Sequence, residues 1–239
     1  MVELELDHGV AVITINRPEA RNAIAPATMD ELDKALDAAD GARALVIRGA
    51  GDRAFVSGGD LKELAALRTE EEATAMALRM RRICDRLAGF PAPVIAALNG
   101  HALGGGAEVA LAADLRVAAD DIKIGFTQVN LAIMPAWGGA ERLAALVGRG
   151  RALLLAGTGT VLDAVDAERT GLLDVVLPRA AFEEGWRALA ASLATDAARR
   201  IKRVMAPGVQ AEEAAHAFAQ LWVADEHWQA AERAMRRGK

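Results

Sequence analysis

The sequence predicts a mixed α/β core to about residue 180 followed by a purely helical C-terminal part, which divides the chain into 1–180 and 181–239. Three observations lead there: a period-two opening, a series of short buried apolar runs that each end in glycine and give way to helical spacing, and the loss of every strand pattern beyond Ala180. Val2 to Asp7 and Val10 to Ile15 alternate around His8-Gly9, the pattern of a hairpin, and Met29, Leu32 and Leu36 mark a helix over Met29 to Ala39. Ala44 to Arg48 reads as a buried strand ended by Gly49, and Pro93 to Leu98 as a second ended by Asn99-Gly100. Between them Met76, Met80, Ile83 and Leu87 share one face of a long helix closed by Gly89 and Pro91. A helix over Gly104 to Ala113 is approached through three glycines, Leu115 to Ala118 is a short strand, and Gly138 to Val147 is a helix followed by another from Arg149. Asp163 caps a short helix that Gly171 ends, and Leu172 to Leu177 is the last strand. Phe218, Leu221, Trp222 and Trp228 fall on a final helix.

The chain of 239 residues is long enough to bury a real core, and 53% of it is hydrophobic. No stretch approaches the ~18–20 uncharged apolar residues that a membrane helix requires. The opening residues MVELELDHGVAVITI alternate and carry acids early, unlike a basic leader with an apolar centre, so the expected compartment is the cytoplasm. One cysteine, Cys84, excludes an internal disulfide, and His8, His101, His216 and His227 lack metal-ligand spacing. Net charge is −5. The basic groups Arg199, Arg200, Lys202, Arg203 and Arg236, Arg237, Lys239 are not interleaved with aromatics, which argues against nucleic acid as a partner. They read as solvated helix faces or as a landing point for a phosphorylated ligand.

Two segments carry the chemistry. In Ala54-Phe-Val-Ser-Gly-Gly-Asp-Leu61 and Asn99-Gly-His-Ala-Leu-Gly-Gly-Gly-Ala-Glu108, glycines at a strand end are followed at once by a helical pattern. Glycine there lets backbone approach a ligand closely, and the first N–H groups of a helix lack intrahelical partners. Each segment can therefore offer free donors to a developing negative charge, with Asp60 placed to cap the first helix and Glu108 one turn into the second. Competing motifs fail. Gly49-Ala-Gly51-Asp-Arg-Ala54 formally fits G-x-G-x-x-A, but no helix follows it, no G-x-x-x-x-G-K-[ST] exists, and Ser57 is not in a G-x-S-x-G elbow.

The two segments resemble the paired oxyanion-hole motifs of the crotonase superfamily, the enoyl-CoA hydratase/isomerase family. The resemblance runs through Asn16-Arg-Pro18 and Arg21-Asn-Ala23, which are similar to the family's early CoA-binding loop. It continues in Pro135-Ala-Trp-Gly-Gly139 with Arg142-Leu143 and in Gly171-Leu-Leu-Asp-Val-Val176. It implies a spiral core of β-β-α units, a C-terminal helical region that assembles trimers or dimers of trimers, an acyl-CoA thioester as substrate, and no separate cofactor, since coenzyme A arrives as part of the substrate. It also implies that the backbone N–H groups of Gly59 and Gly105 hold the thioester oxygen and that Glu108 is a catalytic carboxylate. Arg21 and backbone near Ala23 and Lys62 are expected to bind CoA, and Ser57, Asp60 and Leu61 to lie beside them against the substrate. Trp137, with Phe126, Met134, Leu64 and Leu67, is a candidate for the acyl pocket. Burial near few cations should raise the Glu108 pKa, as a general acid/base requires.

The sequence departs from the family at one place. Hydratases carry a second glutamate seven residues before the proline of the turn, and this chain has Gln128 there. Glutamine can hold a water but cannot take its proton. Hydration by an acyl-CoA lyase is the leading expectation. Decarboxylation of a short malonyl-type CoA, which needs no base because loss of CO2 itself makes the enolate, is the alternative. Phe126 to Gly139 and Phe218-Ala-Gln-Leu-Trp222 resemble the methylmalonyl- and ethylmalonyl-CoA decarboxylase branch. A non-catalytic acyl-CoA-binding protein is the third reading, and retention of Glu108 argues against it.

Overall fold

The computed structural model describes residues 1–237, so Lys239 of the basic tail lies outside the described residues. The chain opens with the expected hairpin, β1 (Val2–Asp7) and β2 (Val10–Ile15), paired antiparallel from Val2↔Ile15 to Asp7↔Val10. Helix α1 (Pro26–Ala38) follows and buries Met29, Leu32 and Leu36. Then come β3 (Ala44–Gly49), β4 (Ala54–Val56), the single turn α2 (Leu61–Leu64) and the long α3 (Glu70–Ala88). A reciprocal cap starts α3: Thr69 Oγ1 accepts from the Glu72 N–H at 3.2 Å while the Glu72 carboxylate accepts from the Thr69 N–H at 3.1 Å. Its inner face buries Met80, Ile83, Cys84 and Leu87, and burial pushes the Cys84 thiol up to about 12, which keeps it neutral. The next winding is β5 (Val94–Leu98), β6 (His101–Leu103) and α4 (Gly105–Ala110), and the third is β7 (Leu115–Ala119) and β8 (Lys123–Gly125), leading through a 3-10 turn to α5 (Gly139–Val147) and α6 (Arg149–Thr158). The core closes with β9 (Val161–Asp163), α7 (Ala164–Arg169) and β10 (Val175–Leu177).

The strands sort into two sheets. One has the order β1-β2-β3-β5-β7-β10, parallel from β2 onward, and the other has the order β4-β6-β8-β9, parallel except for β9. Successive strands β3 to β8 alternate between the sheets, so each winding contributes one strand to each, and this is the spiral of β-β-α units that the resemblance implied. Strand β5 is the hub: Val94, Ile95, Ala96, Ala97 and Leu98 are all fully buried, and each large apolar side chain among them contributes about 1.5–3 kcal/mol. Buried amides stitch the windings where backbone would otherwise be orphaned. Asn99 accepts from the Gly49 N–H at 2.9 Å and donates to the Gly51 carbonyl at 2.8 Å, and Asn22 accepts from the Arg17 N–H at 3.0 Å and donates to the Ala54 carbonyl at 2.7 Å.

Several elements differ from the sequence reading. Helix α4 stops at Ala110 because Leu111 to Ala113 must turn into β7. The last strand covers only Val175–Leu177, since the N–H groups of Leu172 and Leu173 both go to the Ala167 carbonyl at the end of α7. Beyond it, α8 (Phe182–Leu193) lays Phe182, Trp186 and Ala190 onto the core beside β3 and β7. Helices α9 (Asp196–Val204), α10 (Ala211–Trp222) and α11 (Asp225–Arg237) complete the described chain. Phe218, Leu221 and Trp222 sit on α10 and Trp228 on α11, two helices rather than one. Among the described residues no helix is long and apolar enough to cross a membrane.

Candidate active site

The two glycine segments meet because their strands are neighbours. Strands β4 and β6 pair in parallel, and the chain leaves each at the same end of the sheet, into Ser57-Gly58-Gly59 after β4 and Gly104-Gly105 after β6. Gly58 has φ +100°, a left-handed conformation, and a Cβ there would stand 3.3 Å from the Gly105 amide nitrogen, so the two loops touch. A short bridge fixes the first loop from below: the Ile24 N–H donates to the Gly58 carbonyl at 2.8 Å and the Asp60 N–H to the Ile24 carbonyl at 2.9 Å. Among the described residues no protein acceptor takes the N–H of Gly59 or of Gly105. Two unpartnered donors on adjacent loops are what an oxyanion demands.

The glycines of the second loop have separate causes. Gly104 takes φ +56° to turn the chain, a side chain at Gly105 would overlap the indole of Trp137, and one at Gly106 would overlap the Val56 carbonyl oxygen. Trp137 is buried with its ring laid on Gly105 and, at 3.9 Å, near the Cβ position of Gly59, while Leu64 Cδ1 lies 2.9 Å from that same position. Trp137 and Leu64 therefore wall the space beside the donors. Phe126 is fully buried in the core, whereas Met134 is 70% exposed.

Glu108 lies on α4 with only 2% of its surface exposed. Its carboxylate takes four N–H donors. Oε1 accepts from Gln128 Nε2 at 2.9 Å and from the Ala136 amide at 3.3 Å, and Oε2 accepts from the amides of Trp137 at 2.7 Å and Gly139 at 2.9 Å. Burial pushes its carboxyl up, the backbone amides of Gly139, Trp137 and Ala136 and the Gln128 amide draw it part of the way back, and the net position is above the usual carboxylate range. Oε1 carries the longest of the four bonds, the one from the Ala136 amide. The turn Pro135 to Gly139 is thus moulded on Glu108, and it is this turn that sets the Trp137 ring onto Gly105. Gln128, in the 3-10 turn after β8, is buried beside it.

Arg17 clasps the early loop to the first glycine segment. Nearly buried, it donates to the Ala23 carbonyl at 2.7 Å and forms ion pairs at 3.0 Å with both Asp60 and Glu63. Asp60 caps α2 by accepting from the amides of Lys62 and Glu63 at 3.2 and 3.4 Å. Burial raises the Asp60 pKa, but the Arg17 guanidinium and those amides outweigh it and hold the carboxyl below its usual range. Arg17 belongs to the early loop read from the sequence, yet its clasp between that loop and the first glycine segment could not be seen without the fold. Ala23 is buried with its N–H given to the Ala20 carbonyl, Lys62 and Leu61 are exposed, and Ser57 is half-buried.

A cleft of about 680 Å³ runs past Ser57, Leu103 and Thr127, which lie at or just beyond the ends of β4, β6 and β8. Arg21, Arg53, His101, Asp121 and Arg179 are among its other walls. Arg21, the expected CoA contact, lines it, while Arg53, His101 and Arg179 gave no signal in the sequence because they converge from three windings. Arg21 and Asn22 both hold positive φ, 53° and 55°, the strained corner that turns Arg21 into the cleft's rim.

Comparison with known proteins agrees with this geometry. The description of enoyl-CoA hydratase/isomerase fits residues 5–234. A short-chain-enoyl-CoA hydratase of Clostridium acetobutylicum is 38% identical over 179 residues, covering 74% of this chain and 68% of that protein. A crotonyl-CoA hydratase of Syntrophomonas wolfei is 40% identical over 179 residues, covering 73% and 68%. The crystal structure of an enoyl-CoA hydratase from Bacillus anthracis superposes with a TM-score of 0.86 at 32% identity, covering 100% of this chain and 96% of that one. With the family matched over nearly its whole length, and the two-sheet spiral and paired glycine loops in place, the chain belongs to the enoyl-CoA hydratase/isomerase family, the crotonase superfamily.

Proposed function

We propose that this chain is an enoyl-CoA hydratase-type lyase acting on an acyl-CoA thioester. The observation that carries the reading is the pair of unpartnered N–H groups, Gly59 and Gly105, on adjoining loops with the buried Glu108 one helical turn beyond the second. As water oxygen bonds to C3 of an enoyl thioester, the C2–C3 π electrons shift toward the carbonyl and its oxygen becomes an enolate, held by the two donors. Removing such a donor costs about 2.7–4 kcal/mol of transition-state stabilisation. Glu108 takes the proton released by that water through Oε1 and returns a proton to C2, so one carboxylate completes the addition. Its raised pKa suits both halves of the task. Gln128 orients the water without accepting its proton. Arg21 and Arg53 on the cleft, with the exposed Lys62 of α2, supply cations for the CoA phosphates. No cofactor beyond the substrate's own coenzyme A takes part, and the setting is the cytoplasm.

A second reading rests on Gln128 itself. A site with a single acid also suits decarboxylation of a short malonyl-type CoA, in which C–C cleavage leaves the electron pair on the enolate and Glu108, protonated, delivers the proton to C2. Incubation with crotonyl-CoA, longer enoyl-CoAs and methylmalonyl-CoA, with mass detection of products, separates the two. Gain of water by crotonyl-CoA supports hydration, loss of CO2 alone supports the second reading, and no change in any substrate leaves acyl-CoA binding without turnover. For assembly we propose a homotrimer or dimer of trimers through the region 181–239, supported by the exposed Phe218, Trp222 and Trp228 on α10 and α11.

A further inference from the structure

The basic run Arg199, Arg200, Lys202 and Arg203 on α9 divides between two duties. Lys202 faces the core: its Nζ donates to the Ala92 carbonyl at 3.0 Å and pairs with Asp114 at 2.7 Å, which fastens α9 beside the starts of β5 and β7. The three arginines line a separate cavity of about 520 Å³ between α9 and α10, with Pro91 on its wall. Arg203 acts there as a strut, since its Nε donates to Glu213 of α10 at 3.0 Å and the carboxylate cancels its charge. Arg200 donates to the side-chain carbonyl of Gln220, a neutral partner, and Gln220 in turn reaches His216 at 3.0 Å. Arg199 is the least satisfied. Its neighbour Asp196 stands 3.7 Å away, beyond hydrogen-bond reach, and its Nε is buried with no acceptor among the described residues.

A buried guanidinium N–H without an acceptor is costly, and a ligand that brings oxygens recovers the loss. Arg200 adds a positive charge hydrogen-bonded to an amide rather than a carboxylate, on a chain whose net charge is −5. The cavity therefore suits an anion. A carboxylate presents two oxygens in one plane, enough for a single guanidinium fork. A phosphate presents its oxygens tetrahedrally, so it can meet two forks that leave a helix about 100° apart, as those of Arg199 and Arg200 do. The volume lies in the range of small-molecule sites, with room for more than a bare ion. We propose that the cavity between α9 and α10 is a binding site for a phosphorylated small molecule, held by Arg199 and Arg200 with His216 and Gln220 completing its polar wall. It shares no lining residue with the cleft that carries Arg21 and Arg53. It lies by the start of β5, whereas the second glycine loop follows the end of β6, so a ligand here leaves the cleft free. Bound there, the ligand bridges α9 to α10 beside the links that Arg200 and Arg203 already make.

The probe is pyrophosphate, titrated by calorimetry at low ionic strength into the full chain carrying Arg21→Gln and Arg53→Gln, which take the cleft's cations out of the measurement. One pyrophosphate per chain should bind, with a Kd below about 1 mM. Adding Arg199→Gln and Arg200→Gln should weaken that binding about tenfold or more. Inorganic phosphate should bind more tightly than malonate, whose oxygens lie in two flat carboxylates. No binding of pyrophosphate, an affinity unmoved by the added pair, or malonate binding as tightly as phosphate would each overturn the proposal. Folding of the variants is checked by their melting curves. Hydrogen exchange read by mass spectrometry on the wild type decides if they do not fold: pyrophosphate should slow exchange in Asp196–Val204 and Ala211–Trp222, and an effect that spares both helices would overturn the proposal.

Discussion

Gln128→Glu places a second carboxylate where an amide now donates to Glu108 Oε1 at 2.9 Å. Two unit charges about 3 Å apart repel by about 6 kcal/mol at an effective dielectric near 20, equivalent to about four pKa units. The pair cannot ionise twice near neutrality, so it holds one shared proton. That state is an acid beside a base, which divides between two groups the proton transfers that Glu108 otherwise carries out alone. Turnover of crotonyl-CoA should rise by about tenfold or more, and its pH dependence should change from a single limb to a bell. Decarboxylation of methylmalonyl-CoA should collapse, because a charge about 4 Å from the substrate carboxylate adds about 4 kcal/mol of repulsion. The assay follows loss of the enoyl thioester's ultraviolet absorbance across pH for both proteins, with CO2 release measured in parallel. A wild type as fast as an ordinary hydratase, with rates and pH profile indifferent to the substitution, would refute the placement of Gln128 at the second acid position.

Gly105→Ala drives a methyl into the Trp137 indole and should abolish activity, while Gly105→Ala with Trp137→Ala removes the overlap and should restore a measurable rate. No recovery in the double variant would show that the glycine is needed for another reason. Trp137→Ala alone should shift the preferred acyl chain to longer lengths, read as the ratio of kcat/KM for octenoyl- to crotonyl-CoA. Glu108→Gln turns an amide NH2 toward amides that now find an acceptor, at about 1–3 kcal/mol for each N–H left unpaired, seen as a lowered Tm. Because the Glu108 pKa is raised above 4.5 in the folded state, its contribution to stability is full below pH 4.5 and declines as pH rises through the folded value. The Tm gap between wild type and Glu108→Gln should therefore narrow from pH 4.5 toward neutrality, and a gap that widens would show the four donors prevailing over burial. Arg21→Gln should weaken CoA binding several-fold at low ionic strength and flatten its salt dependence, and an affinity insensitive to salt in the wild type would remove the cations from the account.

The long elements were legible because their patterns are long. Strands β1, β2, β3 and β5 match their expected spans to within a residue, and helix α3 contains the expected stretch from Met76 to Leu87 and starts six residues before it, each carrying enough apolar positions to show a period. The small sheet was not legible: β6, β8 and β9 have three residues each, too few for alternation to register, and they are held by pairing across windings rather than by their own sequence. The same division holds at the site. Glycines and Glu108 announce themselves locally. The four donors on Glu108 come from residues 20 to 31 positions away, and Arg17 reaches 43 and 46 positions to Asp60 and Glu63, contacts that only the fold creates.

The pairing of β4 with β6 has a consequence for how such a site can change over evolutionary time. The unpartnered N–H groups of Gly59 and Gly105 are separated in sequence by α2, the 19-residue α3, β5 and β6, yet the loops that carry them are held by one inter-strand spacing of about 4.8 Å. The stretch of α2 and α3 can lengthen, shorten or be rebuilt without moving either donor, because the hydrogen bonds between β4 and β6, not that connection, hold the gauge. On the proposed function, substrate range is thus free to drift through that stretch while the donors for the carbonyl oxygen stay fixed. Conversely, an insertion of a single residue between Val56 and Gly59 would throw one donor off its mark and silence every substrate at once.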